Sequence, residues 1–301
     1  MLYLSLGTNL GNRHDNIRRA CVLIAERIGT VVLQANPIET APVGFDSANQ
    51  FLNTAVAVDT TMPPAQVLLA TQQIERDMGR TIKSKGGVYH DRIIDIDLLA
   101  CDNCIVNTPP LQLPHPGMTD RLFVLEPLAE IAPGWQHPLY LKSVSQLLDV
   151  RRRCHIVPLM AKGCTAALLN DFNRLLAQLS ANFTPLTLSQ LEALGKEHNP
   201  AARIYLLYTP NDKALIGTAT LCLCHQPTGT KAWIEDVVVD AAERGKGYAR
   251  MLLDHLLFQA RRHGASSANL TSRPQRTAAN RLYQSMGFEQ RETNVYKMKL
   301  A

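Results

Sequence analysis

Hydrophobic spacing switches repeatedly along this chain between a period of two and one of about 3.6, and that alternation limits it to layered α/β architectures. Leu2-Tyr3-Leu4-Ser5-Leu6 alternates and then runs into Gly7-Thr8-Asn9-Leu10-Gly11, which predicts a strand entering a tight turn. Ile17, Cys21, Ile24 and Ile28 recur at helical spacing. A second helix is predicted from Pro63-Pro64, with Val67, Leu68, Ile74 and Met78 as its apolar stripe and Gly79 closing it. Strand-like runs stand at Val31–Ala35, Thr54–Val58 and Ile93–Leu99, followed by a hairpin predicted through Cys101–Cys104. These elements point to an α+β sandwich with helices over one sheet.

Arg151-Arg152-Arg153 marks a change of composition. Residues 1–150 carry 11 Lys/Arg against 15 Asp/Glu, a net −4, and residues 151–301 carry 20 against 11, a net +9. At 301 residues, 46% hydrophobic and 19% charged, the chain is long enough for two folded domains and too apolar for disorder. We place them at residues 1–150 and 155–301, with 151–154 a solvated linker. The second begins helix-rich (Thr165–Leu194), continues with strand candidates at Ile204–Tyr208, Leu215–Cys224 and Trp233–Val239, and ends as glycine loop, helix, strand and helix. Its positive charge suits nucleic acid or a small polyanion equally, but no aromatic residues interleave the arginines and no nucleic-acid recognition module is recognisable, so small anions are favoured. No apolar run nears membrane-spanning length and the first residues lack a basic, cleavable leader, so a cytoplasmic protein with no membrane partner is expected. Nothing in the sequence speaks to oligomeric state. Seven cysteines fit buried thiols in a reducing compartment; Cys101-Asp102-Asn103-Cys104 has no second Cys or His pair at zinc-ligand distance and reads as coincidence.

In Ile93-Ile94-Asp95-Ile96-Asp97-Leu98-Leu99 a strand puts Asp95 and Asp97 on one face and Ile94, Ile96 and Leu98 on the other. Adjacent carboxylates repel unless cations hold them ionised, a task for hard divalent ions that bridge substrate phosphates. An exposed edge strand with two solvated acids is the competing reading. Arg80, Lys83, Lys85, Arg92, His115 and Arg121 lie close in sequence and supply the clamps that phosphoryl transfer needs. No Gly-x-x-x-x-Gly-Lys-[Ser/Thr] occurs, which excludes a P-loop kinase.

Six motifs in order, Leu6–Gly11, Glu39-Thr40-Ala41-Pro42-Val43-Gly44, Phe51-Leu52-Asn53, Ile74-Glu75 with Gly79-Arg80, Asp91–Asp97, and Leu113-Pro114-His115-Pro116 with Arg121-Leu122-Phe123, resemble the 6-hydroxymethyl-7,8-dihydropterin pyrophosphokinases (HPPK) over residues 1 to about 150. The resemblance implies a ferredoxin-like α+β fold and transfer of the β,γ-pyrophosphoryl group of ATP to the pterin hydroxymethyl oxygen in folate synthesis, releasing AMP. Asp95 and Asp97 would hold two Mg²⁺. Arg80, Arg92, His115 and Arg121 would grip the polyphosphate, with Lys83 or Lys85 in place of a second lid arginine and Glu75 near the nucleotide. Thr40, Pro42, Val43, Asn53, Phe51 and Phe123 would form the pterin pocket. The chain departs from many relatives at Val88-Tyr89-His90-Asp91, where they carry Trp-Gly-Pro before the catalytic arginine, in a segment that acts as the family's lid.

In the second half, Arg244-Gly245-Lys246-Gly247-Tyr248-Ala249 enters a helix predicted to turn Leu252, Leu253, Leu256, Leu257 and Ala260 inward. Glycines at a helix N-terminus leave N–H groups free for an anion, although a plain tight turn would read alike. Downstream, Ala279–Phe288 puts Asn280 and Tyr283 on one helix face, followed by a capping glycine and a new strand. Together these resemble the GNAT superfamily over about residues 155–301. That implies a mixed α/β acyl-CoA N-acyltransferase fold using acetyl-CoA as cosubstrate on an unidentified amine. Arg244 and the amides of Gly245, Lys246, Gly247, Tyr248 and Ala249 would hold the coenzyme pyrophosphate, Val237 and Val239 would flank its pantetheine, and Asn280 would bond its arm. Tyr283 would protonate the leaving thiolate, and Glu235, on the strand face of Trp233 and Val237, would act as base through water. The alternative is a catalytically silent coenzyme A-binding module that regulates or stabilises the first enzyme.

Overall fold

The computed structural model describes residues 1–43, 47–80, 90–161, 163–180, 182–196, 202–210, 214–296 and 298. The chain divides into two compact units, residues 1–156 with 208–214, and 157–207 with 215–301. Among the described residues no helix is long and apolar enough to cross a membrane.

The first unit runs β1 (Leu2–Thr8), α1 (Arg13–Arg27), β2 (Thr30–Gln34), β3 (Ile38–Thr40), β4 (Phe51–Asp59), α2 (Pro64–Asp77) and β5 (Asp95–Cys101). The main strands lie in the order β2-β4-β1-β5 with antiparallel neighbours, and β3 extends the sheet along β4. This βαββαβ arrangement is the ferredoxin-like fold expected from the sequence. The period of two in β1 sends Leu2, Leu4 and Leu6 into one core, where they meet Ala20 and Ile24 of α1 and Val67 and Ile74 of α2. Asn12 starts α1 by accepting the Asp15 N–H at 3.2 Å.

The opposite face is covered too, which the sequence reading did not foresee. After β6 (Val106–Thr108) and β7 (Leu111–Leu113) come α3 (Leu122–Ile131), the short pair β8 (Gln136–His137) and β9 (Lys142–Ser143), and α4 (Val144–Arg153). Val124, Leu125, Leu128, Val144 and Leu147 pack on Ala55 and Leu99 to form a second core. The predicted hairpin falls later than expected: β5 ends at Cys101, and the pairing is between β6 and β7. Arg151–Arg153 are the last turn of α4 and not a linker. A capping box between Ser143 and Gln146 starts that helix, and cations in its last turn suit the negative end of its dipole.

The second half of the chain contains β10 (His155–Pro158), α5 (Ala166–Leu179), α6 (Leu188–Leu194), β11 (Ala202–Tyr208), β12 (Leu215–Gln226), β13 (Gly229–Val239), α7 (Tyr248–Arg262), β14 (Ala265–Leu270) and α8 (Thr277–Ser285). Its sheet has the order β10-β11-β12-β13-β14, with β12 and β13 antiparallel and β13 and β14 parallel. That is the mixed α/β layout anticipated for this half. Along α7 the buried side chains include Leu252, Leu253, Leu256 and Ala260 as predicted, with His255 and Phe258 buried as well and Leu257 only half-buried. The strand predicted after Gly287 is not formed among the described residues, which run irregularly from 288 to 296.

Candidate active site

Gly7 occupies the centre of the first site. In the sheet it lies opposite Asn53 of β4 on one side and Asp95 of β5 on the other. A Cβ at Gly7 would come within 2.8 Å of Asn53 Oδ1, so glycine is what allows the amide to stand upright beside β1. Asn53 is buried and donates from Nδ2 to Thr40 Oγ1 at 2.8 Å.

Asp95 and Asp97 project from one face of β5 while Ile94, Ile96 and Leu98 are buried behind them. Arg80 bonds Asp95 and also reaches Glu75 Oε1 at 2.5 Å, and Arg92 Nη2 lies 2.8 Å from Asp95 Oδ2. Arg121 Nη1 stands 3.8 Å from Asp97 Oδ2. Desolvation, then repulsion from Asp95, push the Asp97 carboxyl up to about 6 against the pull of Arg121, Arg92 and Arg80. The Nε atoms of Arg80 and Arg92 are buried without a hydrogen-bond partner within the protein. Buried guanidinium donors left open in this way favour an anionic ligand.

Two aromatic rings lie beneath two of these arginines. Arg92 sits 5.0 Å from the centroid of Phe51, and Arg121 sits 5.8 Å from that of Phe123. His115 follows β7, and its Nδ1 accepts the Gly117 N–H at 3.1 Å, which orients the ring. Val43, by contrast, is 60% exposed, and Pro42 is half-buried. Gly44, Lys83, Lys85 and the Val88-Tyr89 departure lie outside the described residues.

Glu75, expected near the nucleotide, stands beside Arg80, one of the expected polyphosphate clamps. Only 6% exposed, it spends its carboxylate on Arg80 and on the Ile96 N–H at 2.8 Å. Because β5 is the sheet edge, that N–H has no strand to bond, and the α2 side chain takes over. Burial lifts the Glu75 carboxyl to about 7, with Arg80 opposing.

The sequence reading assigned no role to Asn9, Asn49 or Asp91. Asn9 is buried, accepts the Arg92 N–H through Oδ1 at 2.8 Å and donates to Asp91 Oδ1 at 2.6 Å. Asn49 donates to the other Asp91 oxygen at 2.9 Å. Hydrogen bonds from Ser47, Asn9 and Asn49 keep Asp91 below the ordinary carboxylate range. Three loops are thereby tied together just ahead of Arg92. A buried amide within a strand-to-turn motif was the available signal, since such a group must find partners.

In the second unit, Gly245 and Gly247 adopt φ of +78° and +86°, and Gly247 caps α7 without any side-chain bond. Gly247 offers the first turn no side-chain acceptor, the open helix start that an anion site requires. Arg244 Nε donates to Val239 O at 3.1 Å, while Lys246 Nζ lies 2.9 Å from Glu243. Asn280 uses Nδ2 on the carbonyls of Arg273 (3.1 Å) and Pro274 (3.4 Å), so its amide nitrogen holds the loop before α8. Tyr283, three residues on in α8, is half-buried edge-on to Phe288, and burial raises its phenol.

The expected shared face of Glu235 and Val237 is interrupted. Thr218 pairs with Val238 but Thr220 with Glu235, so two residues of β13 oppose one of β12, and Asp236 takes φ +52°. Such a bulge breaks the period of two that put Glu235 on one face with Val237. Val239 is buried, Val237 half-buried, and Glu235 has its carboxyl raised by desolvation and then by Asp236.

Residues 3–133 match the 7,8-dihydro-6-hydroxymethylpterin-pyrophosphokinase (HPPK) family model, and residues 170–288 match that of the acetyltransferase (GNAT) family. The 2-amino-4-hydroxy-6-hydroxymethyldihydropteridine pyrophosphokinase of Porphyromonas gingivalis is 48% identical over 139 residues, 46% of this chain and 94% of that one. Its Bacillus subtilis counterpart is 42% identical over 130 residues, 43% of this chain and 76% of that one. A Trypanosoma brucei acetyltransferase structure aligns with 49% of this chain and 99% of its own at 22% identity and a TM-score of 0.41. Carrying the Gly7-centred site within a region nearly half identical to these pyrophosphokinases, the chain belongs to the HPPK family, and a segment that matches the acetyltransferase (GNAT) family model follows in sequence.

Proposed function

We propose that the first unit transfers the β,γ-pyrophosphoryl group of ATP to the hydroxymethyl oxygen of 6-hydroxymethyl-7,8-dihydropterin, with release of AMP, and that the second transfers an acetyl group from acetyl-CoA to an amine. The observation that carries the first reading is the pair Asp95 and Asp97 facing Arg80, Arg92 and Arg121, two of which keep buried donors open.

Asp95 and Asp97 are suited to two Mg²⁺ ions. Among the described residues no group of three or more acidic, His or Cys side chains is placed to hold a metal ion, and a two-carboxylate set leaves coordination positions for water and phosphate oxygens, as magnesium prefers. When bound, magnesium neutralises polyphosphate charge and polarises it toward attack. Arg80 and Arg92 can exchange Asp95 for phosphate oxygens, and His115 and Arg121 complete the grip. The pterin bicycle would stack with Phe51 and Phe123 while Asn53 and Thr40 read its polar edge. Because Arg92 and Arg121 each lie over one of those rings, the polyphosphate and pterin positions adjoin, which favours an in-line meeting of the two substrates.

In the second unit the glycine loop would hold the coenzyme pyrophosphate. The amine nitrogen attacks the thioester carbon, the carbon–sulfur bond breaks, and Tyr283, kept protonated by burial, supplies the proton to the departing thiolate. Glu235 takes the amine proton through water. A cytoplasmic location fits these substrates, since ATP and acetyl-CoA are intracellular metabolites.

Mg²⁺-dependent formation of AMP from ATP and the hydroxymethylpterin tests the first activity; its absence overturns it. Thiol release from acetyl-CoA across an amine panel tests the second, and coenzyme binding without release would make that unit a coenzyme A-binding module only.

A further inference from the structure

Cys101-Asp102-Asn103-Cys104 forms a tight turn at the end of β5 remote from Asp95, which lies about 20 Å away along the strand at ~3.3 Å per residue. The Cys104 N–H donates to the Cys101 carbonyl at 2.9 Å, with Asp102 at φ +44°. The indole N–H of Trp135 holds the same turn through Asp102 O at 3.2 Å. A turn of this kind keeps its end Cα atoms within about 7 Å, and a disulfide spans about 4.4–6.8 Å. The two thiols are unequal: Cys104 is exposed, whereas Cys101 is half-buried, and desolvation, Cys104 and Asp102 all favour its protonated form. Neither takes part in the chemistry described above.

We propose that Cys101 and Cys104 are a dithiol–disulfide exchange site for low-molecular-weight disulfides such as oxidised glutathione. The exposed Cys104 thiolate attacks one sulfur of the small disulfide, whose S–S bond breaks to release one thiolate and leave a mixed disulfide on Cys104. The Cys101 thiol, losing its proton, then attacks the Cys104 sulfur and expels the second small thiolate. Two electrons pass from the protein to the small disulfide, and the two protons released by the cysteines are taken up by the departing thiolates. The backbone turn is already closed in the dithiol form, so sealing it requires only side-chain rotation.

The full chain is equilibrated in buffers of graded reduced-to-oxidised glutathione, quenched by alkylation and mapped by peptide mass. The expected result is a peptide containing Cys101 and Cys104 that has lost two hydrogens, with the other five cysteines of the seven still alkylated. Cys101→Ser is expected to accumulate a glutathione mixed disulfide at position 104, and Cys104→Ser to leave Cys101 alkylatable. Persistence of the mixed disulfide on Cys104 in the unaltered chain, or full alkylation of both thiols in the most oxidising buffer, overturns the proposal.

Discussion

Glu75 accepts the backbone N–H of Ile96 at 2.8 Å, so a helix carboxylate grips the edge strand between its two aspartates. The same carboxylate bonds Arg80, and burial raises it to about 7 from an ordinary 4.5. A raised native value means that the folded chain binds a proton more tightly than the unfolded one, so this group's contribution to stability is fully present below about pH 4.5 and is lost as pH rises through 7. Glu75→Gln keeps an acceptor for Ile96 while removing the ionisation. Melting temperature followed from pH 4 to 8 is expected to fall less steeply in Glu75→Gln than in the unaltered chain; a matching slope would refute the assignment. Asp97, at about 6, titrates with the same sign, whereas His137 and His263, both lowered to about 4 by burial first, titrate with the opposite one and are common to both proteins.

Asp97→Asn keeps the side-chain shape and removes one carboxylate of the pair. AMP formation is expected to drop roughly 10²–10³-fold, the loss typical of a missing electrostatic stabiliser. The magnesium concentration for half-maximal rate should rise with it. Thermal stability should hold or increase, because the repulsion with Asp95 that helps raise Asp97 disappears. A rate unchanged at saturating magnesium counts against a metal-holding role.

What could be read in the sequence follows from what is local. Asp95 and Asp97 share a face because strand periodicity alone requires it, and the glycines before α7 announce positive φ. The Asn9–Asp91 bond joins residues 82 apart, and no spacing rule reaches that far. Asp236 carries no local mark of a bulge, which arises from the fit of β13 to β12, so strand alternation alone puts Glu235 on the face of Val237 and the pairing breaks that alternation. Helix α3 contains Pro127, and it is held by the core it shares with α4 more than by propensity. The arginine triplet was legible in retrospect: Ser143-x-x-Gln146 opens a helix whose basic last turn those residues supply.

Arg92 offers Asp95 one nitrogen, stands over Phe51 and keeps Nε open. Lysine preserves the charge but lacks the planar fork and its stacking. Arg92→Lys is therefore expected to lower kcat/KM for ATP roughly 10²-fold, the scale of a misplaced clamp. Since the pterin ring would share Phe51 with this side chain, KM for the pterin should rise as well. Steady-state kinetics with each substrate varied in turn checks both effects, and an ATP-only effect would separate the two positions.

Tyr283 is three residues from Asn280 and buried enough for its phenol to be raised. A general acid of this kind should stay protonated through neutral pH and into mildly alkaline solution, so acetyl transfer should show no alkaline fall-off below the ordinary tyrosine range near ~10. Tyr283→Phe is expected to slow thiol release about 10²–10⁴-fold with little change in coenzyme affinity. Intact acetyl transfer in this variant would remove the tyrosine from the reaction.

Gly247 caps α7 at φ +86° and ψ 0° with no side-chain bond to the first turn. A Cβ there imposes left-handed strain of about 1–2 kcal/mol, and relief by rotation of the backbone would turn the first-turn N–H groups away from their common focus. Gly247→Ala should therefore weaken coenzyme A binding, measured by calorimetry, by more than the strain alone accounts for in melting temperature. Gly264, also at positive φ but at the far end of α7, provides the control: alanine there carries similar strain and should leave coenzyme affinity intact. Equal loss of affinity in both variants would mean that the loop acts through helix stability and that its amides hold no anion.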